Sequence, residues 1–398
     1  MKKLLFVDDE PRILQGLQRQ LYSMRNEWQM NFLDGGTKAL DFLAANPVDV
    51  IVSDMMMPGM DGAELLTEVM KRHPNTVRIV LSGHADRESV LRLVGPAHQY
   101  LSKPCDAEEL RKAISRAFAL RELLANEQLK QLTTRLKALP TLPTQHSQLT
   151  QELSKEDPSL EAIAKIISKD IGMTAKILQL VNSAFFGLPQ PLTGAEEAVM
   201  YLGMATVRSL VISIQVFSQF DPKVLKGFSI EALTAHCWTT GVMARRIAEY
   251  ERVDNNINGQ CFLAGMLHHV GQLVLAHSLS DDYARVLEVS HTTGKSLLQA
   301  EREQFGATHS EVGAYLLGLW GLPNVIVEAM AFHHSPAAAP VKGFSPMVAV
   351  CAASRFAHEQ AGTPSESPEA QINEATMEAL GLGGRLELWR EHCLDDGL

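Results

Sequence analysis

Apolar and polar positions change their rhythm partway along the chain. Up to about residue 120, short continuous apolar runs alternate with amphipathic stretches of helical spacing; the runs are LLFV (4–7), MNFL (30–33), VDVIVS (48–53), VRIVLS (77–82) and HQYLS (98–102). A parallel sheet covered on both faces requires such unbroken runs, so the alternation predicts a doubly wound, five-stranded parallel α/β domain over residues 1–122. Its last helix opens at Asp106, a residue suited to an N-cap, with Glu108 and Glu109 in the first turn. Leu110, Ile114, Ala117, Phe118, Leu120 and Leu124 then recur at helical spacing. Leu129, Leu132, Leu136 and Leu139 prolong this seam to Pro140, so residues 123–139 read as a helical linker continuing the last helix of the first domain. Two helices broken near Asn126 are the other reading. A homodimer along the seam would have only about four heptads to use.

From LPTLP (139–143) onward the period-two and continuous-run patterns give way to long helical periodicities, which predict a second, mostly α domain over 140–340. Its helical segments are 147–154, 158–169, 173–184, 194–220, 229–250, 257–278, 294–304 and 308–318. Residues 341–398 form a C-terminal helical extension. SPAAAPVKGFSP (335–346) and TPSESPEA (363–370) interrupt the helical pattern, and a tail with Leu380, Leu382, Leu386, Leu388 and Trp389 is expected to pack back.

Bulk properties narrow the function classes. At 398 residues the chain exceeds one ordinary core, since a domain commonly takes ~100 to 200 residues. No apolar run approaches the ~20 residues that span a bilayer, and the start MKKLLFVDDEP meets acids too early for a secretory leader. A cytoplasmic protein without a membrane segment is expected. The five cysteines, Cys105, Cys237, Cys261, Cys351 and Cys393, lack CxxC spacing and suit free thiols in a reducing compartment. A formal net charge of -10 offers no general attraction to phosphate backbones, and no basic recognition helix is apparent, so DNA is not an expected partner.

The first domain concentrates acids where chemistry is expected. Asp8 and Asp9 follow the first strand and Asp54 ends the third, and in a parallel sheet those ends border the crevice where ligands bind. Carboxylates gathered there repel one another unless a cation joins them, and oxygen donors suit Mg2+. Ser82 and Lys103, at the ends of the fourth and fifth strands, add a hydroxyl and an ammonium to the same edge. One carboxylate as nucleophile, with a metal and a lysine against the phosphoryl oxygens, is a set suited to phosphoryl transfer. A single such acid has a plain explanation as a turn or cap residue, but five residues on four strand ends do not.

VDDE, SDMMMPGMDG, LSG and YLSKP stand in the order and spacing of receiver domains of two-component response regulators, which residues 1–122 resemble. The resemblance implies a flavodoxin-like fold with Asp54 as the phosphorylated residue. It implies Mg2+ held by Asp8, Asp9, Asp54 and the backbone carbonyl of Met56. Ser82 corresponds to the switch hydroxyl, Tyr100 to the switch aromatic and Lys103 to the phosphoryl-pairing lysine, with Pro104 commonly cis in this family. An edge aromatic packed on the last helix is the structural alternative for Tyr100. Pro58 and Gly62 would shape the loop after the phosphorylation site.

Six of the 14 histidines stand in contexts of interest: His236, His268, His269, His309, His333 and His334. Buried histidines are more often structural than ligating, yet AGMLHHVGQLVLA places two imidazoles in an apolar helix, where unpaired rings are costly. Their order resembles HD metal-dependent phosphohydrolases and the HD-GYP branch that cleaves cyclic di-GMP. LPTLP, DIGMTAKILQLVNSAFFG and GAEEAVMYLGMATVRSLVISI resemble more fully HDOD, a non-hydrolase output domain. Departures bear on activity. His269 stands where an active HD protein has its metal-bridging Asp, Gln272 where HD-GYP proteins usually have Lys, and SPAAAP replaces the acid and GYP segment. A neutral imidazole cannot supply a bridging anionic oxygen, so hydrolysis is not expected. The six histidines are expected to be a vestigial metal site, with a second metal in this domain not expected. Asn182 and Ser183 match a recurrent HDOD element, and a helix C-cap and turn before Gly187 explain them as well.

Together these features predict a response regulator in which a sensor histidine kinase phosphorylates Asp54 and an HDOD domain acts by protein–protein interaction rather than catalysis. Its target would be a protein such as a kinase or a cyclic-dinucleotide enzyme. The alternative is a receiver-controlled, metal-dependent cyclic di-GMP phosphodiesterase.

Overall fold

The unbroken apolar runs become strands of one sheet, buried from both sides except at MNFL, which forms a half-buried edge. In a computed structural model of the chain, the described residues are 1–82, 96–124, 126–136, 139–155, 157–182, 188, 190–213, 217–219, 228–339, 342–363 and 372–394. The chain divides into two compact units: the first is Met1–Ala138 with Gln179–Pro191 and Gly318–Gly321, the second Leu139–Leu178, Leu192–Leu317 and Leu322–Leu398.

In the first unit, β1 (Lys2–Val7), β2 (Trp28–Leu33), β3 (Val50–Asp54), β4 (Val77–Ser82) and β5 (Gln99–Ser102) form a sheet of order β2-β1-β3-β4-β5. All its pairings are parallel. Helices α1 (Pro11–Gln20), α2 (Gly36–Ala45), α3 (Gly62–Arg72) and α4 (Ala107–Leu123) cover it. Leu4, Leu5, Phe6, Val50, Ile51, Val52, Ile79 and Val80 are almost wholly excluded from solvent, as strands covered on both faces must be. The chain reverses order at β1 and β3, so Asp8 and Asp54 fall at the switch point where a parallel sheet opens its crevice.

The continuous linker helix is corrected. Helix α4 ends at Leu123, and a separate α5 (Glu127–Arg135) begins after Asn126, whose side chain accepts from the backbone N–H groups of Gln128 and Leu129 at 2.9 and 3.2 Å. An Asn in extended conformation that caps the next helix ends the previous one, because the same residue cannot also be helical. Asp106 holds the N-cap position of α4 without a side-chain cap bond. Helix α5 folds onto the first unit: the guanidinium of Arg78, buried on β4, donates to Thr134 O at 2.6 Å and to Pro96 O, and its Nη2 lies 2.9 Å from His98 Nε2.

The second unit is helical apart from β6 (Leu139–Thr141) and β7 (Phe217–Gln219), a parallel pair of three-residue strands too short to show any sequence period. Its first helices are α6 (Pro143–Leu153), α7 (Leu160–Ser168), α8 (Ile171–Val181) and α9 (Ala195–Arg208). Then come α10 (Ile230–Tyr250), α11 (Asn255–Leu267), α12 (Val270–Ser278), α13 (Ser280–Thr293) and α14 (Leu297–Phe305). The last are α15 (His309–Leu319), α16 (Asn324–Phe332), α17 (Pro346–Ala361), α18 (Glu374–Ala379) and α19 (Arg385–Leu394).

Four expectations change here. The segment 194–220 is interrupted at Gly203 (φ 75°), and its α-helix ends at Arg208 before a π-helical turn over Ser209–Ser213 and the strand β7. Segment 257–278 is two helices, and His268 and His269 form their junction rather than sitting inside one helix. Helix α13 was not anticipated, because it buries Tyr283 and Val286 along an otherwise polar sequence. In the tail, Trp389 is buried as expected, but Leu388 is 45% exposed, one residue off the face that packs. Ser183 and Gly187 lie outside the described residues, and Asn182 directly follows α8.

Candidate functional site: a carboxylate pocket and a histidine cluster

The acidic pocket assembles from strand ends held in register. Asp54 pairs with Leu81 across β3 and β4, and Lys103 N–H donates to Ser82 O at 2.7 Å, which ties the end of β5 to that of β4. The Lys103 ammonium reaches both acids: Nζ is 2.6 Å from Asp8 Oδ2 and also pairs with Asp54 Oδ1. Asp8 accepts from Glu10 N–H at 2.9 Å and Asp54 from Met56 N–H at 2.8 Å, so backbone amides fix both carboxylates. The Lys103–Pro104 peptide is cis. Gly62 sits against the end of β3, its N–H donating to Met55 O at 2.9 Å; a Cβ there would collide with the carbonyl oxygen of Asp54. Asp61 and Glu64 close a reciprocal capping box at the start of α3, which anchors the loop leaving Asp54.

Burial and charge oppose each other in this pocket. Burial raises the pKa of Asp54; Lys103 pulls it down by hydrogen bond and charge, Asp8 pushes it up, and the net shift is upward. Burial works against the Lys103 ammonium, but its bonds to Asp54 and Asp8 outweigh that and hold its pKa above the usual 10.5. The pocket therefore holds more carboxylate than one ammonium neutralises. Asp8 and Asp54 offer only hard oxygen donors there, which suit Mg2+. Ser82 lies buried at the end of β4, next to β3. Tyr100 is buried in the cluster containing Leu65, Leu66 and Val80, and that environment raises its phenol pKa.

All six sequence-selected histidines meet in the second unit. His236 lies within α10, whereas His268 and His269 join α11 to α12, His309 starts α15, and His333 and His334 follow α16. Glycines permit the approach. A Cβ on Gly265 would lie 2.5 Å from Gly241 Cα, and one on Gly271 would meet His309 O, so α11 sits on α10 and α12 on α15 backbone to backbone. His268 Nε2 then lies 3.3 Å from His236 Nε2, and His309 Nε2 lies 3.1 Å from His334 Nε2. One potential ligand atom from each of His269, His309, His333 and His334 falls within 4.8 Å of the others, and His236, His268 and His269 form a second such group. Burial, reinforced by the neighbouring imidazoles, holds the pKa values of His269 and His333 well below 6.5, so these rings are neutral.

Residues that the sequence reading passed over support the rings from behind. The buried Glu301 carboxylate accepts from His309 N–H at 2.8 Å, lies 2.8 Å from His309 Nδ1, and also accepts from Tyr283 Oη–H at 3.1 Å. Glu301 lies eight residues before His309, on α14 and across the loop that leads into α15. Ser354 Oγ lies 3.3 Å from His236 Nε2, and Cys351 Sγ–H donates to His333 O at 3.2 Å, so α17 of the C-terminal extension lines the histidines. Glu311, the acid of THSEVG, instead accepts from Thr308 N–H at 2.7 Å and pairs with Arg302, which makes it a helix-start residue.

Comparisons with known proteins agree with both halves. A family model for the response regulator receiver domain matches residues 4–115, and one for the HDOD domain matches residues 139–336. An uncharacterized protein of Treponema pallidum is 24% identical over 223 residues, covering 56% of this chain and 42% of that protein. The hydrogenase transcriptional regulatory protein HoxA of Cupriavidus necator is 37% identical over 116 residues, 29% of this chain and 23% of that protein. The chain thus spans less than half the length of either relative. Among solved structures, the MmoQ response regulator of Methylococcus capsulatus has 22% identity and a TM-score of 0.49, covering 64% of this chain and 98% of that one. No helix among the described residues is long and apolar enough to cross a membrane. A receiver domain implies a phosphodonor such as a histidine kinase, and receivers are generally Mg2+-dependent. The chain carries a response regulator receiver domain followed by an HDOD domain, which makes it a response regulator of two-component signal transduction.

Proposed function

We propose that a sensor histidine kinase phosphorylates Asp54 with Mg2+ bound to Asp8, Asp9, Asp54 and the Met56 carbonyl, and that the modification switches an HDOD domain acting by protein–protein interaction. The observation that carries this reading is the ammonium of Lys103 laid across both Asp8 and Asp54 at the switch point of the sheet. A carboxylate held by a backbone N–H on one oxygen presents the other to an incoming phosphorus, and Lys103 then pairs with the phosphoryl oxygens. Bound Mg2+ supplies the remaining positive charge. Ser82, on the adjoining strand end, is placed to follow the new oxygens, and the buried Tyr100 ring responds to the space that Ser82 leaves.

The phosphodiesterase reading draws support from the convergence of six histidines, but neither metal-capable group contains a carboxylate to bridge two ions. The target would be a protein such as a kinase or a cyclic-dinucleotide enzyme, with the protein in the cytoplasm. Treatment with acetyl phosphate and Mg2+ should modify the wild type and leave Asp54→Asn unmodified by intact mass; equal modification of both would move the site elsewhere. A pull-down comparing beryllofluoride-treated protein with Asp54→Ala should recover different partners. Turnover of cyclic di-GMP by the purified chain would overturn the non-catalytic reading.

A further inference from the structure

We propose, against the expectation drawn from the sequence, that His269, His309, His333 and His334 bind one divalent transition-metal ion of the zinc class. The inference rests on which ring nitrogens are committed elsewhere. His333 Nδ1 lies 2.8 Å from Met330 O, and a carbonyl can only accept, so Nδ1 carries the proton and Nε2 the lone pair. That Nε2 is buried with no hydrogen-bond partner, in a side chain that is 5% exposed. His309 obeys the same logic, its Nδ1 proton held by the Glu301 carboxylate and its Nε2 turned towards His334 Nε2. A carboxylate or carbonyl behind a ring, fixing its tautomer and orientation, is the outer-sphere arrangement of metal-ligating histidines.

The distances fit the same occupant. Two imidazole nitrogens bound to one tetrahedral ion at about 2.0–2.1 Å stand about 3.3–3.4 Å apart. His309 Nε2 and His334 Nε2 are 3.1 Å apart before any ion draws them into place. An orphaned buried acceptor is destabilising, and a bound cation satisfies it. A water molecule brings only two hydrogens to a site where four imidazoles converge. The four donors are neutral nitrogens, so the site favours Zn2+, Co2+ or Ni2+ over Mg2+ or Ca2+. With four protein ligands the ion has no open position, so it braces the junctions of α11 with α12, α14 with α15, and α16 with the segment after it; it does not activate water.

The test uses the full chain without a polyhistidine tag, stripped with a chelator and returned to buffer containing excess Mg2+ to occupy the carboxylate pocket. Titration with Co2+ should give the visible absorption of a tetrahedral nitrogen site, saturating at about one ion per chain, and Zn2+ should displace it. His309→Gln with His333→Gln should weaken binding at least ~100-fold, and Glu301→Gln about 10-fold or more as the outer-sphere partner. Stripped wild-type protein with native helical content that takes up no Co2+ or Zn2+ would overturn the proposal. Binding of equal strength in a folded double variant would do the same. Should the double variant fail to fold, the wild-type titration alone decides.

Discussion

The receiver pocket and the histidine cluster solve opposite electrostatic problems. At Asp8 and Asp54 the protein gathers carboxylates at buried strand ends and offsets part of their charge with one ammonium, that of Lys103. Around His269 and His333 it gathers neutral rings in a sealed interior, where burial itself keeps them uncharged. In the first arrangement burial and charge oppose each other, whereas in the second burial and the neighbouring rings act in the same direction.

Substitutions can break that contrast, most strongly at Lys103. Lys103→Met should reduce phosphoryl uptake from acetyl phosphate by about 100- to 1,000-fold. It should also tighten Mg2+ binding, measured by calorimetry, because the ammonium no longer competes for Asp8 and Asp54; weaker Mg2+ binding would mean that the lysine organises the acids rather than opposing the metal.

In the helical unit, Glu301→Ala should lower the stability of metal-free protein by about 3 kcal/mol, since it strips the buried His309 N–H and Tyr283 hydroxyl of their acceptor. Urea unfolding would show it, and a loss below ~1 kcal/mol would mean that water substitutes for the carboxylate.

A smaller effect tests the linker. Asn126→Ala should cost about 1 kcal/mol by removing the cap of α5. Were the helix continuous, the same change would stabilise it, because Ala is the better helix former, so the sign alone separates the two structures.

The smallest effect concerns pH. Burial raises the pKa of Asp54 above 3.8, so its contribution to stability is complete below that value and is lost as pH rises through the folded-state pKa. In Mg2+-free buffer Asp54→Asn should therefore melt about 1–2 °C above wild type at pH 7, with the gap closing towards pH 4. A gap that widens on acidification would show that Lys103, and not burial, governs the carboxylate.

Most of the receiver was legible because its information is local and ordered. Each strand is a contiguous apolar run, and each candidate residue stands at the end of one, so the sequence alone puts Asp8, Asp54, Ser82 and Lys103 at one edge of the sheet. The helical unit was legible only in part. Its six histidines could be picked out, but Glu301, Ser354 and Tyr283 could not, since their roles arise from packing between helices distant in sequence. Helix boundaries failed where a single residue overrides periodicity: Asn126 turns its side chain to cap the next helix, Gly203 takes a positive φ, and the His268–His269 pair takes the junction between two apolar helices that read as one.

Strand β4 has a consequence of a mechanical kind. It carries Ser82 at the end that borders Asp54, and four residues earlier it carries Arg78, whose guanidinium grips the carbonyl of Thr134 in α5. At about 3.3 Å per residue the two side chains are some 13 Å apart on one stiff, fully buried rod, laddered to β3 on one edge and β5 on the other. The rod's near end lies beside Asp54 and its far end holds α5, so a displacement along its axis would load both at once.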